Sequence, residues 1–298
     1  MTSGVVFITG VGRSGTTVLQ SMLHSHSAFH FSPETHFFKR YILPFQLKKK
    51  TPSVQDLSQD TYLNRLSESQ RESLFKMKMD SIDELKSAFQ AIMSGGESAS
   101  FSGDKDTEYV RYFPHLKRLF PDAYMIHIVR DPRDVVASRL KTEWGAKRSL
   151  EFHIAEYQYY LKKVRAEGPA LFGDRFIELK YEDLLEAPEE QLSSILSKFG
   201  ETFEPQMLEF YKNDSGLVAE DEKKWKGNVS KPLQQKNSGK WKASFSPKEA
   251  ALIQKGIKSF FQEMNYELVD VKPSPAKRLK VRVLKKLFAG KTLKEQLK

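Results

Sequence analysis

Short apolar runs alternate with amphipathic stretches along this 298-residue chain, and that alternation predicts its elements. Gly4 to Thr9 reads as a strand, and Gly15 to Ser25 as a helix. Ala123 to Val129 is a second apolar strand. Pro132 to Leu140 follows as a helix, with its proline in the first turn, where the missing N–H would have no partner anyway. Arg175 to Leu179 reads as a third strand and Ala187 to Phe199 as the helix after it. Strands alternating with helices predict a parallel sheet with crossover connections. Between the first two strands, Tyr41 to Met93 is polar, mostly helical in pattern and poor in turn signals beyond Pro44 and Pro52, so it reads as a lid insert. Leu217 to Ala243 is rich in Lys, Gly, Asn and Ser and reads as a long loop of the kind that carries function. Ser246-Pro-Lys-Glu249 combines a cap, a first-turn proline and an acid at the third position, and opens the last core helix.

The first strand runs through Gly10-Val-Gly-Arg-Ser-Gly-Thr-Thr17 directly into a helix. Such a glycine-rich turn aims unpaired N–H groups and a positive dipole end at an anion. Gly10 and Gly15 keep the register of a P-loop, but Thr16 stands where a nucleotide triphosphatase has Lys, and the cation sits inside the loop as Arg13. The second strand ends in Arg130, followed by Asp131-Pro-Arg-Asp134 and, on the next helix, Ser138. Arg130 and Ser138 are placed to grip one phosphate, since ligands of open α/β sheets bind at the strands' C-terminal ends. Taken alone, Arg130, Asp131, Arg133 and Asp134 read as a surface salt-bridge cluster; beside the first loop, the phosphate reading prevails.

Charge changes the picture at one end only. Of the net +10, the segment Lys272 to Lys298 supplies ten Lys/Arg against one acid, Glu295, leaving residues 1–271 close to neutral. A single domain over 1–271 with a basic tail over 272–298 is therefore expected, and the basic balance is no argument for nucleic acid on the core. In the tail, Leu279, Val283, Leu284, Leu287 and Phe288 fall at helical spacing among lysines and arginines. That pattern suits either peripheral contact with a membrane or polyanion, or a packed terminal helix. The chain has no cysteine, so disulfides and thiolate metal sites are excluded. Val5 to Ile8 is too short for a signal-peptide core, and a cytoplasmic location, peripheral at a membrane surface or not, is the expectation.

The two phosphate motifs together resemble the PAPS-dependent sulfotransferase superfamily (PAPS is 3′-phosphoadenosine 5′-phosphosulfate). The likeness is strongest to the branch with Arg in the loop, which contains protein-tyrosine and some carbohydrate sulfotransferases, and it spans about Val5 to Trp241. It implies a P-loop-like three-layer α/β sandwich with a central parallel sheet and a helical lid that defines the acceptor. It also implies PAPS as donor, PAP as product and no metal requirement. Arg13, Ser14, Gly15, Thr16 and Thr17 would then hold the 5′-phosphosulfate, and Arg130 and Ser138 the 3′-phosphate. Pro33-Glu34-Thr35 is similar to the family's Glu-Glu-Thr, which makes Glu34 the base. Asp104-Lys105-Asp106 resembles an Asn-Lys-Asp segment whose Lys contacts the sulfuryl group. Tyr181, in Lys180-Tyr-Glu-Asp-Leu184, would lie near the adenine, and Lys231 and Lys240 in a loop that covers the donor. Pro33 departs from the first acid of the family motif, and Trp225 and Lys226 stand where that loop has a serine.

Without the resemblance, Glu34 reads as a helix cap and Lys105 as a surface lysine. His24, His26, His30 and His36 read as packed or solvated rather than metal-bound, and His127, in mid-strand, as a core histidine; His36 and His127 are weak rivals to Glu34 as base. The expected activity is transfer to a hydroxyl of a carbohydrate or glycolipid. Transfer to tyrosine or another phenol, a nucleotide or small-molecule kinase, and a non-catalytic nucleotide-binding module are the alternatives.

Overall fold

The computed structural model describes residues 4–297 apart from 213–215, 220–221, 223, 225–226 and 235–236, with backbone alone for 228 and 291–297; the Trp225–Lys226 departure thus lies outside the described residues. Five parallel strands form one sheet in the order β2-β3-β1-β4-β5: β1 (Gly4–Thr9), β2 (Phe29–Phe31), β3 (Phe101–Lys105), β4 (Tyr124–Val129) and β5 (Phe176–Lys180). The helices are α1 (Thr16–His24), α2 (Leu43–Lys48), α3 (Val54–Ser58), α4 (Glu68–Phe75), α5 (Ile82–Ser94), α6 (Phe113–Leu119) and α7 (Pro132–Leu140). After them come α8 (Glu143–Ala146), α9 (Leu150–Phe172), α10 (Tyr181–Glu186), α11 (Pro188–Ser197), α12 (Pro247–Gln254), α13 (Lys258–Glu263) and α14 (Pro275–Leu297).

The alternation of the strands fixes the three layers. In β1, Val5 and Phe7 face one core with Phe37, Phe89 and Phe113, while Val6 and Ile8 face a second core with Leu19, Ile126 and Leu184. Both faces of the sheet are covered, as a purely parallel sheet requires. Registers Ile8–Lys105, Thr9–His127 and Val129–Lys180 bring the C-terminal ends of four strands to one edge. Arg13, Lys105, Arg130 and Tyr181 all follow from that edge.

The polar insert is helical because its helices are capped locally. Ser53, Ser67 and Ser81 each accept the N–H three residues on, from Asp56, Gln70 and Glu84, and each of those side chains reaches back to the cap's own N–H. The amphipathic α5 buries Leu85, Phe89, Ile92 and Met93, and Phe89 stacks on Phe7 and Phe37 at centroid distances of 6.2 and 5.8 Å. Ser246 makes the same reciprocal cap on α12 with Glu249.

Three elements, β2, β3 and α9, differ from the sequence expectation, and the basic segment takes one of its two alternatives. The strands β2 and β3 lie inside the stretch between the first two expected strands, too short and too polar to stand out. The 23-residue α9 buries polar Glu151, His153 and Gln158 beside Ile154, Tyr157 and Leu161, which blurs its apolar stripe. The basic segment is a helix docked on the domain: Val281 and Phe288 join a core of Val136, Ile154, Ala155, Leu252 and Ile253. Phe288 lies 5.1 Å from the Phe152 ring, and Lys280 reaches Glu151 at 3.0 Å. Among the described residues, no helix is long and apolar enough to cross a membrane.

This docking predicts a contrast between neighbouring residues. Phe288→Ala should cost about 3 kcal/mol, the usual loss for an emptied aromatic site. Exposed Leu287→Ala should stay within about 0.5 kcal/mol. Urea melts of the two variants check it, and equal small effects would mean that α14 contributes no packing.

Candidate functional site

β1 ends at Thr9 and the chain turns through Gly10 to Gly15 into α1. Gly15 is the N-cap residue with φ 101°, and an added Cβ would fall 2.4 Å from the Tyr181 ring, so both conformation and space demand glycine. Arg13 holds a left-handed φ of 83° without being glycine, a strained conformation of the kind that clusters at ligand-binding turns. Its Nε donates to Ser138 Oγ at 3.2 Å, which joins the loop to α7 across the sheet edge.

Arg130 is buried where β4 ends. Its Nη1 donates to the Arg13 carbonyl at 3.2 Å, its Nη2 to the Asn237 carbonyl at 2.5 Å, and its guanidinium lies 4.6 Å over the Tyr181 ring. Burial and the neighbouring Arg130 hold the Arg13 pKa below the ordinary arginine value. Two like charges in one buried pocket favour an anion between them. Two polar atoms of the region, Ser14 Oγ and Arg130 Nε, are buried without a hydrogen-bond partner. Such orphans are uncommon and suit a phosphate, which offers several acceptors.

The long loop closes one side. Asp134, on α7, accepts the N–H groups of Gly239 at 2.7 Å and Trp241 at 2.8 Å. Asn237 Nδ2 donates to Tyr181 Oη and Lys240 Nζ donates to Asn237 Oδ1, both at 2.8 Å. Asn237 is thus a site residue that sequence reasoning misses; its Asn-Ser-Gly-Lys context in a long polar loop is the available signal. Lys240 is exposed and reaches the site through Asn237, whereas Lys231 is exposed and does not line the cavity. The charge-rich turn after β4 is not a surface cluster: Arg133 is fully buried, pairs with Asp131 at 2.6 Å and lies 3.8 Å over the Trp241 ring. Asp131 and Arg133 therefore hold the turn and the loop together instead of facing solvent.

On the lid side, Glu34 and Lys105 form a buried ion pair. The helical turn after Glu34 starts with Phe37 as its cap residue and no side-chain cap bond, so Glu34 does not cap it; the Glu34 carbonyl accepts from Arg65 at 2.7 Å. His36 stands beside it with φ 54°, its Nδ1 2.7 Å from Asp106 Oδ2. Burial alone would lower the His36 pKa, but the hydrogen bond and charge of Asp106, with Glu34 nearby, hold it above the ordinary histidine value. Glu34, His36 and Asp106 each set one donor atom within 4.8 Å of the others, close enough to share an ion. His127 is buried, 3.0 Å from Glu178, and does not line the cavity, as a core histidine would not.

These groups share one cavity of about 520 Å³, ample for a nucleotide-sized ligand. Gly12, Arg13, Gly15, Thr16, Thr17, Arg130, Tyr181 and Asn237 line one end, and Glu34, His36 and Lys105 line its wall. The remaining wall holds Tyr62, Trp144 and Tyr160. Its charges are largely compensated: Arg65 pairs with Glu222 at 3.3 Å and Arg139 with Glu156.

The Sulfotransferase family profile matches residues 5–205, which include both phosphate motifs, Glu34 and Lys105. Protein-tyrosine sulfotransferase 1 of Danio rerio is 28% identical over 207 residues, covering 64% of this chain and 52% of that protein. The Homo sapiens protein of the same name is 31% identical over 142 residues, 46% of this chain and 34% of its own length. The chain thus spans about half or less of these two relatives. Among solved structures, the sulfotransferase domain from the curacin biosynthetic pathway has a TM-score of 0.62 at 21% identity, covering 89% of this chain and 99% of that one. The sulfotransferase domain of the Synechococcus PCC 7002 olefin synthase also scores 0.62, at 20% identity, covering 96% and 94%; at these identities the two speak to the fold. With a parallel sheet that carries an arginine-bearing phosphate loop and a second arginine at the next strand end, and with a family match over two thirds of its length, this chain belongs to the PAPS-dependent sulfotransferase superfamily.

Proposed function

We propose that this protein moves a sulfuryl group from PAPS to an acceptor hydroxyl, most naturally one on a carbohydrate or glycolipid. The observation that carries the reading is the convergence of Arg13, Lys105, Arg130 and Glu34 on one cavity at the C-terminal edge of the sheet. In the reaction the acceptor oxygen forms a bond to sulfur, the bond from sulfur to the bridging phosphate oxygen breaks, and PAP leaves with that electron pair. Charge then grows on the sulfuryl and leaving oxygens, so fixed cations there matter most. Arg13 and Lys105 supply them. Ser14, Thr16, Thr17 and the loop N–H groups hold the 5′-phosphate; Arg130 and Ser138 hold the 3′-phosphate; Tyr181 packs near the adenine, with Lys240 acting through Asn237. With this set of cations no divalent metal is needed. Glu34 takes the acceptor proton. Its pairing with Lys105 holds it at the cavity wall until the lysine turns toward the sulfuryl group.

The acceptor wall supports a polyhydroxylated ligand. Tyr62, Trp144 and Tyr160 offer flat apolar faces, and the paired Arg65–Glu222 and Arg139–Glu156 offer donors and acceptors side by side with little net charge. A second reading, tyrosine or another phenol as acceptor, is favoured by the relatives named protein-tyrosine sulfotransferases. Incubation with labelled PAPS and a panel of sugars, glycolipids, tyrosine peptides and simple phenols decides between them. Label on none of them would count against the enzyme reading and for a nucleotide-binding module.

Removing the 3′-phosphate contacts should discriminate between ligands. Arg130→Ala should weaken PAP about ten- to hundredfold more than adenosine 5′-phosphosulfate, which shares only the loss of the tie to the Arg13 loop, and Ser138→Ala should show a smaller difference of the same sign. Calorimetry measures this, and equal losses for both ligands would reject the assignment.

The base is tested by Glu34→Gln and His36→Asn in parallel. Glu34→Gln should lower kcat at least about a hundredfold with near-normal PAP affinity, and His36→Asn less than about tenfold. The pH profile adds an independent reading. Only neutral imidazole accepts a proton, so with His36 as base the rate would climb as pH rises through its raised pKa, above about 6.5. With Glu34 as base, the wild type and His36→Asn should share the same profile across that range. A climb that His36→Asn abolishes, with Glu34→Gln near normal, would transfer the role to His36.

A further inference from the structure

The docked α14 splits its apolar residues into two rows. Val281 and Phe288 point into the core with α9 and α12, whereas Leu279, Val283 and Leu287 point outward and are 60%, 49% and 57% exposed. The outward residues are spaced by four and form one continuous stripe along the helix. Arg278, Arg282 and Lys286 form a parallel row one position before it, exposed and with no acidic partner among the described residues. Between Val271 and Gly290 the sequence has seven Lys or Arg and no acid.

We propose that this outward face of α14 is an interfacial anchor that seats on an anionic lipid bilayer. An apolar stripe flanked by a row of cations meets a bilayer on both counts: the leucines and valine enter the acyl boundary while the cations meet the headgroup phosphates. A polyanionic glycan would satisfy the cations but leave the stripe in water. A second copy of the chain would bring two uniformly basic faces together, which like-charge repulsion opposes. The anchor also bears on the acceptor, a step that rests on the sulfotransferase reading. Phe288 packs on Phe152, and Trp144 of the cavity wall lies 6.3 Å from the neighbouring His153, so the anchor and the acceptor wall are mounted on the same turn of α9. An acceptor hydroxyl carried on a lipid would be met by an enzyme already at the surface.

The test is flotation of the full chain with phosphatidylcholine vesicles, with and without one quarter phosphatidylglycerol. Binding should require the anionic lipid and fade with salt. Each basic residue at such a surface is worth about fivefold in partition, so Arg282→Glu with Lys286→Glu should abolish binding. The triple change Leu279→Ser, Val283→Ser, Leu287→Ser should lower it at least about tenfold at unchanged charge. Both variants should keep wild-type PAP affinity, which separates loss of the anchor from loss of the donor site. Absence of binding to anionic vesicles at low salt would overturn the proposal. So would vesicle binding that survives the triple change, which would mark a charge-only polyanion contact, or concentration-dependent dimerisation that the triple change abolishes. Should the triple variant fail to fold, the charge-reversed pair, whose side chains are exposed, still decides: binding that survives the reversal would overturn the anchor.

Discussion

Arg130 is the point on which this site depends. One buried guanidinium donates to the carbonyl of Arg13 in the first loop and to that of Asn237 in the last, and stacks on Tyr181 at the end of β5. Three segments far apart in the chain are thereby tied at one place. Arginine suits the task because its planar fork donates in fixed directions while its flat face stacks on the ring, whereas lysine's compact ammonium has no plane to stack. The arrangement is incomplete by itself, since Nε has no partner and Arg13, a like charge, stands close by. An anion would supply both missing terms, and under the proposed reading loop closure and donor binding would be coupled through this side chain.

The wall that carries Glu34 and His36 follows different physics. There the charges come in pairs, Glu34 with Lys105 and His36 with Asp106, set in a buried wall under the lid. Isolated, each would carry a desolvation cost; paired, they are held ready in place. The end with Arg13 and Arg130 is thus rich in cations, with Asp134 3.9 Å from Arg130, while the wall with Glu34 and His36 is balanced in charge. That division suits a reaction in which one substrate is a multiply charged nucleotide and the other is not.

The parts legible in the sequence are those encoded locally. The phosphate loop, the strand that feeds it, Arg130 and Ser138 stand out because a glycine-rich turn and a strand end carry their own signature over a few residues. The helical lid is legible only in outline; its serine caps, at Ser53, Ser67 and Ser81, are what make a polar stretch helical. Asn237 is not legible, because its importance arises from partners at positions 130, 181 and 240. Nor is the burial of Arg133, which depends on Trp241 and Phe261 arriving from the far end of the chain. The helical spacing of the tail can be read from its residues, but sequence alone does not divide Leu279, Val283 and Leu287 from Val281 and Phe288. That division is set by the surface of α9 on which the helix lies.

The central claim is that the loop with Arg13 and the strand end with Arg130 together form a site for a 3′,5′-bisphosphorylated nucleotide, with no divalent metal. Isothermal titration of the full chain with PAP in the presence of EDTA, beside a titration with ATP and Mg²⁺, tests it most directly. The account predicts saturable 1:1 binding of PAP that EDTA does not alter, and much weaker binding of ATP. Tight binding of ATP with Mg²⁺ and no response to PAP would contradict it.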